Sequence, residues 1–531
     1  MIPSCLRRLR SAGRLAAAVG VAGVLAAWTA GGGASSPAIP ADPGESIYRK
    51  GILPSGQPLR AVVSGDIPLE GSPAACQTCH QRSGLGTVEG KAWTPPVAGR
   101  LLFAGRGSGV RLRPPYDDET LARALREGLD VAGRPLDPLM PRYDLSPSEL
   151  SALAAYLRGL SGSPSPGVTN TEIRFATVVT PDADPAEARA MLGVLQTFLA
   201  NRNVRTRNLG KWDQYNRNFR TWVLDTWALK GPPETWAGQL EEAYAKRPVF
   251  ALLSGAGGAE WGPVHDFCER HQVPGILPNV DQAPAGAGAG YYTLYFTRGV
   301  TLEAETIAAQ LAGAPTGTRI VQFRPPSGPG RAGADALRKA LASRNGPEVV
   351  DVVVGAAGPP VEPILAPPLQ VAVLWLPAES LNSAFSGRPR DEKWSHVFVS
   401  ATLLHGERPA TPPLPDVATD LVSPFSPPAD LAARWPRVAA WLKIRGVPPG
   451  ERRIQDQTLV ACVVTGEALM HLNDEFHRDY FLELVDHVGT NPIVSAFHSR
   501  LSFGPGQRVV SRGCYLVPLG GEAGSPRWVI P

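Results

Sequence analysis

The runs Leu252-Leu253-Ser254-Gly255-Ala256, Val273-Pro274-Gly275-Ile276-Leu277-Pro278-Asn279 and Tyr291-Tyr292-Thr293-Leu294-Tyr295-Phe296 decide the architecture of most of this chain. Each is short and largely apolar, and small or polar residues close the first two. Working outward, Ile173 to Thr180 is an apolar, β-branched run and Pro185 to Asn203 has helical spacing. Val249 to Ser254 reads as a buried strand and Ala259 to His271 as a helix. Strand patterns return at Ile320 to Phe323, Val349 to Val354 and Val371 to Leu376, with a helix from Ala332 to Ser343. Strands alternating with helices from residue 170 to 531 predict parallel α/β sheets, and that length suits two lobes. Ligands in such folds sit beyond the carboxyl ends of strands.

Upstream, Ser161-Gly162-Ser163-Pro164-Ser165-Pro166-Gly167 is a Pro/Gly/Ser stretch that reads as a linker over residues 163–169. It sets apart residues 42–162, which contain Cys76-Gln77-Thr78-Cys79-His80. C-x-x-C-H is the attachment pattern for c-type haem. Two thiols at this spacing reach the two vinyl groups of one porphyrin edge, and the adjoining imidazole falls on the iron. Met140, in a loop ahead of a helix from Ser151 to Leu160, is placed to be the distal ligand. Ser146, Pro147 and Glu149 form the start signal of that helix. Gly44 to Gly51 reads as a short helix that crosses it. A thioether opposite an imidazole leaves iron no open position, which argues for electron transfer.

With these residues in view, 42–162 resembles a class I, His/Met-ligated cytochrome c. The resemblance implies an all-α unit with one covalent haem c: thioethers on Cys76 and Cys79, and iron bound axially by His80 and Met140. It also matches Tyr156 to the aromatic of the last helix, and Pro95 or Pro96 to the proline that supports the proximal histidine. Residues 170–531 resemble the type I periplasmic solute-binding proteins of the branched-chain amino-acid receptor group, on the three opening runs and, less specifically, Leu501 to Arg508. That implies a two-lobed α/β unit with a ligand in the cleft. Matching strand ends puts Ser254, Gly255 and Ala256 in one binding loop and Asn279 and Asp281 in the next. Asn279-Val280-Asp281 departs from the small hydroxyl residues often found there, and an anionic Asp281 favours an amine or polyol over a carboxylate.

The first 34 residues carry Arg7, Arg8, Arg10 and Arg14, then a thirteen-residue apolar stretch from Leu15 to Ala27, then Gly32-Gly33-Ala34, the pattern of a cleaved signal peptide. A soluble periplasmic protein is expected, with membrane attachment only if the leader is kept. Beyond the leader 48 basic residues face 48 acidic ones, so the chain lacks the field of a nucleic-acid binder. Cys5 leaves with the leader, and in an oxidising compartment two of Cys268, Cys462 and Cys514 are expected to pair. Which two is open.

Other clusters are read as structural. His265, Cys268 and His271 lie on different sides of a helix, His471, Glu475 and His477 on a solvated helical face, and Trp212, Trp222, Trp227 and Trp236 in a core. No nucleophile, Walker or dinucleotide motif supports an enzyme. The main expectation is a periplasmic electron carrier whose α/β unit binds a small polar solute or docks a redox partner, a dehydrogenase or an oxidase. The alternatives are a transporter-type solute receptor with an accessory haem, and a cytochrome subunit of a periplasmic dehydrogenase complex.

Overall fold

The computed structural model describes residues 42–89, 92–104, 113–209, 220–258, 260–315, 317–354, 370–381, 384–385, 394–409, 411–472, 474–487, 495–520 and 524–531. The expected leader, Cys5 and Trp212 lie outside these residues. The chain divides into two compact units, Met1–Pro164 and Ser165–Pro531.

In the first unit, Asp42 caps α1 (Pro43–Glu45) by accepting from the Gly44 and Glu45 amides. The helix runs on as a π-helical turn, Ser46–Lys50, and stops at Gly51 with φ 64°. α1 crosses α5 (Pro147–Gly159), whose start is closed by a reciprocal Ser146–Glu149 capping box. At the crossing a Cβ on Gly44 would lie 2.3 Å from the Ala152 carbonyl oxygen and 2.5 Å from Tyr156 Cβ, so only glycine lets the two helices meet. Between them come α2 (Gln77–His80), α3 (Gly99–Leu102) and α4 (Asp118–Glu127), all placed around a core of Ile47, Tyr48, Leu59, Leu121, Leu153 and Leu157.

The expectation of an all-α unit needs correction. β1 (Arg60–Val63) pairs antiparallel with β2 (Ile67–Glu70) and with β5 (Arg142–Tyr143), while β3 (Thr87–Glu89) and β4 (Ala92–Thr94) pair antiparallel with each other. The cause is local: Arg60-Ala61-Val62-Val63 alternates with period two, sending Ala61 and Val63 inward and Arg60 and Val62 outward.

The second unit holds two doubly wound sheets. β6 (Glu172–Val179), β7 (Thr221–Ala228), β8 (Ala251–Leu253), β9 (Gly275–Ile276) and β10 (Thr293–Leu294) form the parallel sheet of lobe 1 in the order β10-β9-β8-β6-β7. Helices α6 (Pro185–Leu209), α7 (Trp236–Lys246) and α8 (Gly262–His271) follow β6, β7 and β8. Lobe 2 repeats the winding. It starts with α9 (Val300–Leu311), then β11 (Arg319–Arg324), α10 (Gly328–Ala342), β12 (Val349–Val353), β13 (Gln370–Leu374), β14 (Trp394–Ser400) and β15 (Thr419–Ser423). Its order is β12-β11-β13-β14-β15-β16-β17, and the last two strands, β16 (Cys514–Leu519) and β17 (Arg527–Val529), run antiparallel.

After β15 the chain returns to lobe 1 as α11 (Pro428–Ile444), α12 (Arg452–Met470) and α13 (Arg478–His487). Val460, Val464, Phe481 and Val485 pack there with Phe175, Met191 and Leu195. The chain therefore crosses between lobes three times: between β10 and α9, between β15 and α11, and between Val510 and β16. This is the two-lobed α/β architecture implied for residues 170–531. Trp222 and Trp227 turn out to lie on β7, a strand missed in the sequence, and both are buried.

Aromatic groups from two of these crossings and from the segment that follows α13 meet. The His498 ring stacks on Phe296 (4.9 Å between centroids, 11° between planes) and packs on Phe425 (5.5 Å). Burial pushes the His498 pKa down to about 3, with Arg453 adding to the effect, so the ring stays neutral in this stack. In lobe 1, Arg478 donates to the carbonyls of Val249 (2.6 Å), Phe250 (2.9 Å) and His271 (3.1 Å), tying α13 to the sheet.

Candidate functional site

In the first unit, one turn of helix concentrates the reactive groups. Cys76 is the N-cap of α2, and the His80 amide donates to the Cys76 carbonyl at 3.0 Å. His80 is 6% exposed, and its Nδ1 lies 2.8 Å from the Pro95 carbonyl oxygen. A carbonyl only accepts, so Nδ1 carries the proton and Nε2 keeps a lone pair, the tautomer a metal-ligating histidine needs. Burial lowers the His80 pKa against this hydrogen bond, which keeps the ring neutral. Of the two candidate prolines, Pro95 makes the contact.

Cys76 and Cys79 are both half-buried. Burial pushes the Cys76 thiol up to about 12, opposed by hydrogen bonds that include the Tyr143 hydroxyl. Met140 and Cys76 pack against the same core cluster, and the Met140 carbonyl accepts from the Arg142 guanidinium. The four residues singled out by spacing are thus on elements that share one core. Tyr143 was missed in the sequence; its place three residues beyond Met140, on β5, gave no signal of contact with Cys76.

In the second unit the residues expected to bind a ligand lie in the connections after β8 and β9. Ser254 has φ 56° and Gly255 φ 155°, and a Cβ on Gly255 would meet the Trp261 ring at 2.6 Å. Ala256 bridges to Val179 on one side and Asn279 on the other. Their side chains look inward, however. The Asn279 amide donates to Ser254 Oγ (3.0 Å) and to Thr458 Oγ1 of α12 (3.1 Å), all three buried. A cavity of ≈ 10 Å³ beside Ser254, Cys268, Thr293 and Tyr295 has room for about one water.

Asp281 is engaged as well. Its Oδ1 accepts from Arg453 Nη1 at 2.8 Å, and its Oδ2 lies 3.1 Å from His405 Nδ1. Arg453 also donates to Glu187 Oε1 at 3.0 Å. Burial raises the Asp281 pKa, but Arg453 and His405 outweigh it and hold the carboxyl below its usual range. For Glu187 burial wins over Arg453 and the net shift is upward. The expected preference of Asp281 for an external cation is met by the chain's own Arg453, a residue no sequence pattern had marked.

His265 Nδ1 meets Thr293 Oγ1 (2.9 Å) and Tyr295 Oη (3.1 Å), whereas His271 Nε2 meets Glu241 (2.8 Å). His477 corrects one expectation: it is buried and, like His471, lies between α12 and α13, not on a solvated helical face. Cys268, Cys462 and Cys514 are free and buried, contrary to the expected disulfide, because each sits in its own part of the two lobe cores. Among the described residues no group of three or more His, Cys, Asp or Glu is set to hold a metal ion, and no helix is long and apolar enough to cross a membrane.

No known protein family matches the chain, and no curated protein does. Solved structures give weak likenesses to the second unit's class of fold. A putative branched-chain amino acid ABC transporter protein from Rhodospirillum rubrum is 16% identical, with 68% of this chain and 100% of that one covered and a TM-score of 0.44. A branched-chain amino acid ABC transporter protein from Thermus thermophilus with bound valine is 14% identical, covering 68% and 98%, with a TM-score of 0.43. The leucine binding protein LivK from Thermotoga maritima is 11% identical, covering 67% and 97%, with a TM-score of 0.40. At scores this low the likeness adds nothing to the strand order and the three crossings.

Proposed function

We propose that this chain is an exported, two-lobed protein of solute-receptor type that carries one covalently attached haem c on its first unit. The observation that carries the haem half is the α2 turn, with Cys76, Cys79 and His80 within five consecutive residues at i, i+3 and i+4 and His80 held through Nδ1 by Pro95. The donor set suits the group: Cys76 and Cys79 would supply the thioether bonds, and the neutral buried imidazole of His80 and the thioether of Met140 would hold the iron. Such a haem supplies a one-electron couple when bound. The chain's own residues orient His80, bury its surroundings and support the Met140 loop through Arg142.

The receptor half rests on two doubly wound sheets joined by three crossings, an arrangement in which lobes hinge about a ligand or a partner surface. Electron delivery to or from a dehydrogenase or oxidase is the second reading, favoured because His80 and Met140 together would leave a haem iron no open position. Holo-protein made with a haem-maturation system should keep its haem through denaturation and acid–acetone extraction. Extractable haem, or none, removes the cytochrome half. Solutes are screened by melting shift, since a ligand at a hundredfold excess over Kd stabilises by about 2.7 kcal/mol. A broad screen of amines, polyols, amides and amino acids without a shift favours the docking role.

A further inference from the structure

Asp281 joins the lobes as well as neutralising Arg453. It follows β9 in lobe 1, whereas His405 ends a 3-10 turn, Thr402–Leu404, that follows β14 in lobe 2. One carboxylate oxygen faces Arg453 and the other faces His405. Each half is braced from behind. On the lobe 1 side Arg453, with its side chain 8% exposed, is fixed by Glu187 from α6. On the lobe 2 side the fully buried Glu303 of α9 accepts from Ser400 Oγ (2.5 Å), the Thr402 amide (2.8 Å) and Thr402 Oγ1 (2.8 Å), which pins the turn that presents His405. His405 itself adopts φ 51°, a left-handed conformation held here by that turn.

We propose that Asp281 and His405 form a protonation-dependent latch that holds lobe 2 against lobe 1, braced by Arg453 and Glu187 on one side and by Glu303 on the other. With His405 neutral, Glu187, Asp281 and Arg453 leave the cluster one negative charge in excess. A proton on His405 balances it. The charged groups acting on His405 are Asp281, Arg453 and Glu187, and the hydrogen bond to Asp281 leads in raising its pKa. A raised pKa in the closed form means that the latch is fully made below the ordinary histidine value and is lost as pH rises through the raised one. The His405 side chain is 69% exposed, so water screens the pair and the effect is modest. The second unit thereby closes on its own side chains, in answer to protons, apart from any solute.

The test uses the full chain with azido residues substituted at exposed Glu234 of lobe 1 and exposed Lys339 of lobe 2, each carrying one dye of a single-molecule energy-transfer pair. Moving from pH 6 to pH 9 should raise the ratio of open to closed molecules by about two- to fivefold, the range of an exposed ion pair. His405→Gln, a change at an exposed site, should give the pH 9 distribution at both pH values. An unchanged wild-type distribution overturns the latch. So does a pH response that survives in His405→Gln, because the titrating group would then be Glu303, which burial raises to about 7, or another residue.

Discussion

In the first unit the reactive groups Cys76, Cys79 and His80 fall within five consecutive residues, whereas in the second a single ion network joins Glu187 to Arg453 across 266 positions of sequence. The difference teaches how each kind of site responds to change. A site on one helical turn is built by local geometry and needs only a wall behind it, here the Pro95 carbonyl and the core around Tyr48 and Leu157. A site assembled from α6, the loop after β9, the loop after β14 and α12 exists only while both lobes are folded and adjacent. The first should fail by loss of a single atom type, the second by loss of tertiary order.

The sharpest way to break that contrast is Cys76→Ala with Cys79→Ala, which should abolish covalent haem altogether while circular dichroism of the second unit's α/β signal stays unchanged. Met140→Ala should leave attachment intact, remove the near-infrared sulfur-to-iron band and lower the reduction potential; an unchanged spectrum would move the distal ligand elsewhere. Arg453→Met should cost about 3 kcal/mol in urea unfolding, because Asp281 and Glu187 lose the cation that compensates them, and adding Asp281→Asn should recover part of it. The sign with pH follows from the lowered Asp281 pKa: its contribution is present above the ordinary aspartate value and fades as pH falls through the folded one. Gly44→Val should cost about 1–3 kcal/mol through overpacking at the α1–α5 crossing, read as a lower melting temperature of the first unit with the second unaffected. His405→Gln should be smallest, below about 1 kcal/mol in stability, and visible mainly in lobe opening.

Much of the architecture was legible because its signals are periodic. Ile173 to Thr180, Val349 to Val354 and Val371 to Leu376 carry the apolar runs of buried parallel strands, and each is a strand within a residue or two. β7 was not legible, because Thr221-Trp222-Val223-Leu224-Asp225-Thr226-Trp227 mixes bulky and polar residues and its aromatics read as a cluster. The small strands of the first unit were hidden by a family expectation that favoured helices. Ser254, Gly255, Ala256, Asn279 and Asp281 were found by strand ends, a local rule, and they are where that rule puts them. What those side chains touch depends on α12, whose Arg453 and Thr458 come from 172 and 179 residues further on. No local pattern carries that information.

Lobe 1 is made from two separate parts of the chain, and this has a consequence for how the protein comes into being. Phe175, Met191 and Leu195 emerge from the ribosome long before Val460, Phe481 and Val485, the residues that cover them. Lobe 2 lies between, and five of its seven strands are contiguous in sequence. A chain delivered amino-terminus first must therefore carry an incompletely covered apolar core through the synthesis of most of a second lobe. Truncation between β15 and α12 should yield a species in which lobe 2 has most of its sheet, while lobe 1, though earlier in the sequence, is left sticky and open to proteases.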